Sequence, residues 1–242
     1  MRVDIVSIFP EALTPLLAVS IIGRARERGL VDIRTCDLRD FATDRHRQVD
    51  DVSYGGGPGM VMKPEPFYAA VDALALPDGP RPHIVLTSPQ GRRFDQRVAE
   101  RLASEAHLIV FCGRYEGVDE RVPAGLGAEE LSIGDYILTG GELPAMVIVD
   151  ATVRLIPGVV GNERSVAAES FTGGVLDHPH YTRPAEFRGM RVPDVLLTGH
   201  HEQIRRWRRR QQLRRTLARR PDLMTWEALS EEDRALLRDE TE

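Results

Sequence analysis

Ser132-Ile-Gly-Asp-Tyr-Ile-Leu-Thr-Gly-Gly-Glu-Leu-Pro144 is the stretch on which an interpretation of this chain depends. It places three glycines, two carboxylates and a tyrosine between a short apolar run and a long, nearly all-apolar segment. Glycines let a backbone approach a ligand closely or adopt a positive φ angle. Pro144 suits the first turn of a helix, where backbone N–H groups have no intrahelical acceptor. The stretch therefore predicts a ligand-binding loop that leads into a helix.

Apolar strands alternate with helical segments on the amino-terminal side of this loop. The predicted strands cover residues 3–9, 31–35, 83–91 and 108–113, and the predicted helices lie near 13–21, 67–74 and 94–102. This alternation predicts an α/β fold with a mainly parallel sheet. Ligands bind beyond the carboxyl ends of the strands in such sheets, so we expect loops 87–92, 113–121 and 132–144 to converge there.

Composition limits the class of protein. A chain of 242 residues with 42% hydrophobic and 29% charged residues can hold one large domain or a medium domain with a small one. No apolar run approaches the length of a membrane span, so we expect no membrane association. Cys36 and Cys112 are too few and too separated for a disulfide framework, and the expected location is the cytoplasm.

The net charge of −5 is unevenly distributed. Nine arginines and one acid lie between Glu202 and Arg220, and an acidic carboxyl-terminal tail follows. Ile204 and Trp207 share one face of the predicted helix, whereas Leu213 and Leu217 lie on roughly the opposite face. The arginines then surround much of the helix, which suits contact with a phosphate backbone. The alternative is a solvated helix paired with the acidic tail.

Other patterns leave alternatives open. The glycine-rich loop 55–59 is either a phosphate cradle or a turn, and it lacks the Gly-Lys-Ser/Thr ending of a P-loop. His178, His180 and Cys112 are possible metal ligands, but their spacing favours hydrogen-bonded histidines and a packed cysteine. No Gly-x-Ser-x-Gly elbow is present, which argues against a serine hydrolase.

Two charged residues have competing interpretations. Arg154 is predicted deep inside the apolar helix, where it either pairs with Asp150 one turn earlier or stabilises negative charge at a site. Glu169 lies in a small, polar segment and is either a solvated charge or a catalytic base, which needs partial burial or a partner.

With these residues assembled, the chain closely resembles the bacterial tRNA (guanine-N1)-methyltransferases that modify the guanine at tRNA position 37. The likeness covers nearly the whole sequence. It is carried by Ile8-Phe-Pro10, Asp44-Arg-His46, Asp50-Asp51, Tyr54-Gly-Gly-Gly-Pro-Gly-Met60, Ser88-Pro-Gln-Gly91, Cys112-Gly-Arg-Tyr-Glu-Gly117, Ser132-Ile-Gly-Asp-Tyr136, Gly140-Gly-Glu-Leu-Pro144, Pro179-His-Tyr-Thr-Arg-Pro184 and Arg205-Arg-Trp-Arg208.

The resemblance implies a SPOUT-type fold, in which the mainly parallel sheet carries a deep trefoil knot, with a small helical C-terminal domain. It implies a catalytic domain at residues 1–160 that binds S-adenosylmethionine, a flexible linker at 161–172 and a tRNA-binding domain at 173–242. It further implies dependence on Mg²⁺ and a homodimer whose active sites are built from both subunits.

Site residues follow from the same resemblance. The implied donor-binding residues are Leu86, Thr87, Ser88, Pro89, Gln90, Gly113, Arg114, Tyr115, Glu116, Ile133, Gly134, Asp135, Tyr136, Ile137, Leu138, Gly140, Gly141 and Pro144. The implied tRNA-binding residues are Asp50, Gly59, His180, Arg183, Arg205 and Arg208. Glu116 is also the implied carboxylate for Mg²⁺.

The implied mechanism uses a base and a cation. Guanine N1 carries a proton that a base must remove, while negative charge moves to O6. The family's cation matches Arg154. Its base is an aspartate, whereas this chain has Glu169 at the matching position. The competing readings are an RNA-binding protein that transfers no methyl group and a methyltransferase for another RNA position.

Overall fold

A computed structural model of the chain describes residues 1–77, 79–161, 169–171 and 173–238. The chain divides into two compact units, Met1–Gly161 and Asn162–Glu242. The predicted linker at 161–172 falls mostly outside the described residues, which include only four of its positions.

A five-stranded sheet lies at the centre of the first unit. Its strands are β1 (Arg2–Ser7), β2 (Asp32–Asp37), β5 (His83–Arg93), β6 (His107–Cys112) and β7 (Glu129–Ser132). Their order across the sheet is β2-β1-β6-β5-β7. Every neighbouring pair is parallel. The predicted α/β fold with a mainly parallel sheet is therefore confirmed. A short antiparallel pair, β3 (Asp50–Asp51) and β4 (Val61–Met62), carries the glycine-rich loop between its strands.

Helices cover both faces of the sheet. They are α1 (Thr14–Leu17), α2 (Ser20–Glu27), α3 (Pro64–Leu74), α4 (Gln96–Ala103), α5 (Arg121–Leu126) and α6 (Glu142–Val153), with 3-10 turns at Pro10–Ala12 and Leu38–Phe41. Alternate residues of β6 belong to separate clusters: Leu108 and Val110 pack in one, Ile109 and Phe111 in the other. Burial on both faces explains why β6 is a continuous apolar run.

Element boundaries differ from the predictions at three places. The predicted helix near 13–21 is divided into α1 and α2, and Ser20, the first residue of α2, has a φ of 56°. Phe94 precedes α4, which begins after Asp95, whose side chain accepts a hydrogen bond from the Val98 N–H at 3.0 Å. The predicted loop 87–92 belongs to β5, although the strand's pairing with β7 is interrupted there.

That interruption explains how a strand supplies a loop. Thr87 and Arg92 both align with Leu131 of β7, so the four residues between them bulge out of the ladder. Gly91 is required at this point, because a Cβ there would lie 2.4 Å from the Glu130 carbonyl carbon.

Arg154 is not deep inside its helix. It is the C-cap residue of α6 and is half-buried, whereas the interior of the helix is formed by residues such as Ile148 and Val149. The helix is less enclosed than its composition predicts, because Leu143 is 60% exposed and Val147 is 45% exposed.

The second unit is mainly helical. It contains the hairpin β8 (Glu186–Phe187) and β9 (Met190–Arg191), the arginine-rich helix α7 (His201–Arg219), the acidic helix α8 (Glu231–Arg238), and 3-10 turns at Asp194–Leu197, Pro221–Leu223 and Trp226–Ala228. Its small core comprises Val175, Leu213, Leu229 and Leu236. Within the part of the chain that the structure describes, no helix is both long and apolar enough to cross a membrane.

Candidate functional site

A cavity of about 350 Å³ lies in the first unit, at the carboxyl ends of β5, β6 and β7. The three loops that the sequence places beyond these strands all contribute to it, so their predicted convergence is what the structure shows. Its lining residues are Leu86, Thr87, Ser88, Pro89, Gln90, Gly113, Arg114, Tyr115, Glu116, Gly117, Val118, Glu120, Pro123, Glu130, Leu131, Ser132, Ile133, Gly134, Tyr136, Ile137, Leu138, Thr139, Gly140, Gly141 and Pro144.

The lining contains every residue predicted to bind the donor except Asp135, which is exposed and lies outside it. The predicted donor residues did not include Gly117, Val118, Glu120, Pro123, Glu130, Leu131, Ser132 and Thr139, although all but Pro123, Glu130 and Leu131 lie in the predicted loops. The available signal for Glu130 and Leu131 was their position directly before the predicted ligand-binding loop 132–144. Donor binding by these residues stays a prediction.

Glycines let two of the loops touch. The Gly141 N–H donates to the Gly113 carbonyl at 2.8 Å, and the Gly113 N–H donates to Thr87 Oγ1 at 3.2 Å. A Cβ on Gly141 would lie 2.0 Å from Thr87 Oγ1 and 2.6 Å from the Gly113 nitrogen. This close backbone packing is the reason that glycine is required here. The φ of Gly141 is −84°, which any residue can adopt, so backbone conformation is not the reason.

A buried carboxylate supports the same wall. Glu142 accepts a hydrogen bond from Ser7 Oγ at 2.6 Å and pairs with Arg114, whose Nη2 lies 3.1 Å from Glu142 Oε2. The Arg114 guanidinium also lies 4.6 Å from the centre of the Phe9 ring. The negative charge of Glu142 is thereby compensated, and the Ile8-Phe-Pro10 motif is connected to the cavity.

Tyr115 and Glu116 occupy the turn after β6. Tyr115 has a φ of 58°, an uncommon conformation for a residue with a side chain and one that concentrates at functional sites. Glu116 contacts the glycine-rich loop: a Cβ on Gly59 would lie 2.3 Å from Glu116 Oε1. The predicted substrate residue Gly59 therefore borders the cavity through Glu116, whereas Asp50 is outside the lining.

The predicted magnesium site has weak support at Glu116. In the described ranges, Glu116 belongs to no group of three or more acidic, histidine or cysteine ligands. Magnesium usually keeps several waters and takes only one or two protein carboxylates, so Glu116 as its ligand stays a prediction.

Cys112 is a packed residue, as predicted. It is 1% exposed at the end of β6. Burial raises the pKa of its thiol well above the ordinary value, which removes the thiolate needed for nucleophilic catalysis or metal binding. Its membership of the hydrophobic core of the first unit agrees with the alternative that the sequence favoured, a packed cysteine.

The second unit has a cavity of its own, of about 400 Å³. It is lined by His178, Pro179, His180, Tyr181, Thr182, Arg183, Ala185, Val192, Leu196, Leu197, Ile204, Trp207 and Arg208. Three of the predicted tRNA-binding residues, His180, Arg183 and Arg208, are in this lining. Tyr181 and Trp207 are neighbours with ring centres 6.4 Å apart. The cavity thus combines cationic and aromatic groups, which suit phosphates and bases respectively.

Part of the arginine-rich helix is paired with acids. Arg205 contacts Glu202 at 2.8 Å and Glu232 at 2.9 Å, so this predicted tRNA-binding residue is held in an ion-pair network. Arg209 makes two hydrogen bonds of 2.7 Å to the Asp233 carboxylate. The alternative of pairing with the acidic tail therefore applies to these two arginines, whereas Arg208 faces the cavity.

Replacement of Asp233 by asparagine is expected to lower the free energy of unfolding of the second unit by about 2 kcal/mol at pH 7. The hydrogen bonds from Arg209 lower the pKa of Asp233 below its ordinary value of 3.8. Asp233 therefore stabilises the fold above that pH, and its contribution is lost as the pH falls through the lower folded value. Urea unfolding should show that the free energies of unfolding of the wild type and the variant differ less at pH 3 than at pH 7.

Asp222→Asn is the matched control. Asp222 makes the same paired contact with Arg220, at 2.8 and 2.6 Å, but both side chains are largely exposed. Solvent screens such a pair, so little change is expected. Equal effects of the two substitutions would contradict a special role for the Arg209–Asp233 pair.

The two predicted catalytic residues lie in different units. Arg154 ends α6 in the first unit, and Glu169 lies in the second unit, where it is half-buried. Partial burial of Glu169 agrees with what a catalytic base requires. Their catalytic roles stay predictions.

Comparisons with known proteins agree on one family. Residues 1–226 match the family described as "tRNA (Guanine-1)-methyltransferase TrmD". A protein from Moorella thermoacetica, named tRNA (guanine-N(1)-)-methyltransferase, is 57% identical over 239 residues, which are 98% of this chain and 95% of that protein. Proteins of the same name from Pelotomaculum thermopropionicum (54% identical; 99% and 96% covered) and Thermotoga maritima (56% identical; 97% and 94% covered) are also similar.

The chain combines a parallel α/β sheet, a loop-lined cavity at the carboxyl edge of that sheet and these relatives. By class it is an RNA-modifying methyltransferase. The chain belongs to the tRNA (guanine-1)-methyltransferase family TrmD.

Proposed function

We propose that this protein transfers a methyl group from S-adenosylmethionine to N1 of the guanine at position 37 of tRNA. The observation that carries the proposal is the cavity at the ends of β5, β6 and β7, lined by all but one of the residues that the family resemblance assigns to the donor. Family membership and the names of the relatives support the reaction class.

The residues present fit a donor of this kind. A volume of about 350 Å³ falls within the range of small-ligand sites. The contact between Gly113 and Gly141 leaves no room for a Cβ and brings backbone groups to the cavity wall. S-adenosylmethionine supplies an electrophilic methyl group when bound. Leu86 to Gln90, Gly113 to Glu116 and Ile133 to Leu138 would hold it.

The proton on guanine N1 must be removed for methylation to occur. Glu169 is proposed to accept this proton, since a half-buried carboxylate can act as a base near neutral pH. Negative charge that develops at O6 is proposed to be stabilised by Arg154. Glutamate is one methylene longer than the aspartate of the family. The segment around Glu169 must therefore accommodate a carboxylate that extends further from the backbone.

Recognition of tRNA is proposed to involve both units, through Asp50 and Gly59 in the first and His180, Arg183, Arg205 and Arg208 in the second. The target base must leave its stack to reach the methyl donor. The pairing of Arg205 with Glu202 and Glu232 means that its contact with a phosphate requires release from these acids. Arg208 and Arg183 need no such release in the described residues. Glu116 is proposed to hold Mg²⁺ through its carboxylate, with water among the other ligands, and the ion enters no step of this proposal.

One assay tests the proposed reaction. Labelled S-adenosylmethionine is incubated with unmodified tRNA that has either guanine or adenine at position 37, and the methylated position is mapped. Methylation of guanine 37 at N1 alone is the expected result. Label at another position would favour a different RNA target, and tRNA binding without label would favour a non-catalytic RNA-binding protein.

We further propose that the protein is a homodimer with a knotted catalytic domain and that it works in the cytoplasm. The exposed face of α6 supports self-association, because Leu143 and Val147 are apolar, exposed and one turn apart. The same helix ends at Arg154, so an interface on it would place the second subunit next to a catalytic residue. The close packing of the loops around Gly113 and Gly141 supports a tightly threaded chain.

Val147→Glu is expected to dissociate the dimer. A symmetric interface would bury two unpaired carboxylates, at a cost of at least about 3 kcal/mol. This corresponds to a rise of more than about 100-fold in the dissociation constant. Light scattering across a dilution series measures it. Leu217→Glu, at a position that is 44% exposed in the second unit, is the control for a new surface charge. A dimeric Val147→Glu variant with unchanged affinity would refute this interface.

A further inference from the structure

Three potential metal ligands meet in the second unit, at Asp177, His178 and His180. One ligand atom from each lies within 4.8 Å of the other two. Asp177 lies between the imidazoles: its Oδ2 accepts a hydrogen bond from His180 Nε2 at 2.8 Å, and its Oδ1 is 3.8 Å from His178 Nε2. The imidazole ring centres are 4.4 Å apart.

The orientation of His178 is fixed by its other ring nitrogen. Nδ1 lies 3.2 Å from the Pro179 carbonyl oxygen, which can only accept a hydrogen bond. Nδ1 therefore carries the proton in the neutral ring, and Nε2 keeps its lone pair. Metal-binding histidines characteristically use their second nitrogen in this way.

As a result, two acceptors face each other. The His178 Nε2 lone pair and the Asp177 carboxylate oxygen are 3.8 Å apart, too far for a hydrogen bond. Ligand atoms about 2.0–2.2 Å from a tetrahedral zinc ion are roughly 3.4 Å from one another, so a small movement would accommodate a cation there. The ion would replace the hydrogen bond between His180 and Asp177, and the His180 proton would move to Nδ1. The carboxylate is itself held in place, since the Asp177 N–H donates to Ser170 Oγ at 2.9 Å and Oδ1 accepts from the His178 N–H at 2.7 Å.

We propose that Asp177, His178 and His180 form a binding site for a divalent transition-metal ion, with Zn²⁺ as the best fit. Two imidazole nitrogens and one carboxylate oxygen are a donor set that zinc accepts readily, whereas magnesium requires oxygen ligands. Three protein ligands leave a fourth position for water or an anionic oxygen. Because His178 and His180 line the second cavity together with Arg183 and Arg208, the ion adds positive charge to that cavity.

The test is direct metal binding by the full-length chain, which does not depend on methyl transfer. Metal-free protein is titrated with Zn²⁺ against a chromophoric chelator, and Co²⁺ is added separately to record its visible absorption. One zinc ion per chain and a cobalt band typical of four-coordination are expected.

His180→Gln is the main variant, because the His180 side chain is 70% exposed and its removal should leave the fold intact. It should weaken zinc binding at least about tenfold, since loss of an outer-shell partner alone has an effect of that size. His178→Gln should do the same and abolish the cobalt band. His201→Gln, an exposed histidine on α7 outside the cluster, should bind like the wild type. Thermal unfolding without metal checks the fold of each variant.

Three outcomes would overturn the proposal. The first is a wild-type chain that binds no stoichiometric zinc. The second is zinc binding that both His180→Gln and His178→Gln leave unchanged. The third is zinc binding that His201→Gln weakens as much as they do. None of these outcomes bears on methyl transfer, so this test and the test of the proposed function can fail separately.

Discussion

Glu169→Gln is expected to lower single-turnover methyl transfer to tRNA by a factor of roughly 10²–10⁴, the usual contribution of a general base. Glutamine has the same size and shape as glutamate, but its amide cannot take up the proton from guanine N1. The half-buried position of Glu169 means that bulk solvent replaces the carboxylate poorly. Single-turnover conditions, with enzyme in excess over labelled tRNA, keep product release from hiding the loss.

The matched variant is Glu169→Asp. It keeps the carboxylate and introduces the residue that the family resemblance implies at this position, so much of the rate should remain. Donor binding and thermal unfolding should be unchanged in both variants. Near wild-type single-turnover rates for Glu169→Gln would show that another group takes the proton.

Gly141→Ala is expected to weaken binding of S-adenosylmethionine strongly. The added methyl group would lie 2.0 Å from Thr87 Oγ1 and 2.6 Å from the Gly113 nitrogen, and the second of these belongs to a backbone that cannot rotate away. The two loops must therefore separate, which disturbs the 2.8 Å hydrogen bond between Gly141 and Gly113. Overpacking of this kind costs about 2–3 kcal/mol. If that cost falls on the donor-bound state, the dissociation constant rises roughly 30- to 150-fold.

Gly161→Ala controls for the general effect of replacing a glycine. Among the residues that the structure describes, a Cβ on Gly161 would meet no atom within 4 Å, and its φ is outside the left-handed region. Calorimetric titration with S-adenosylmethionine should therefore give the wild-type affinity for Gly161→Ala and a weakened affinity for Gly141→Ala. Equal affinities for the two variants would mean that the contact between the loops does not shape the donor site.

Several features were predictable because they depend on local pattern. The apolar strand before Cys112 and the glycine-rich stretch before α6 follow from the alternation of strands and helices. The stop of α2 follows from Gly29, whose φ is 68°. The sequence motifs showed the resemblance to the family, and the resemblance supplied the predicted donor residues. Of these residues, only Asp135 is not part of the cavity lining.

Other features depend on contacts between residues far apart in sequence. The bulge of β5 is decided by its register against β7, which no pattern within β5 reports. The pairing of Arg209 with Asp233 joins two separate helices, so composition alone could not tell a solvated arginine from a neutralised one. The position of Arg154 at the end of α6 depends on where that helix stops.

The sequence by itself determined the α/β class, the loops that line the cavity, and the resemblance to a tRNA methyltransferase family. It could do so because hydrophobic period and glycine position are local properties of the chain. Only the tertiary structure decided which arginines of α7 are paired, how Glu142 is compensated by Ser7 and Arg114, and that Asp177 stands between two imidazoles. These arrangements are set by distances between side chains of separate elements, and the free energy of a charge depends on those distances and on burial.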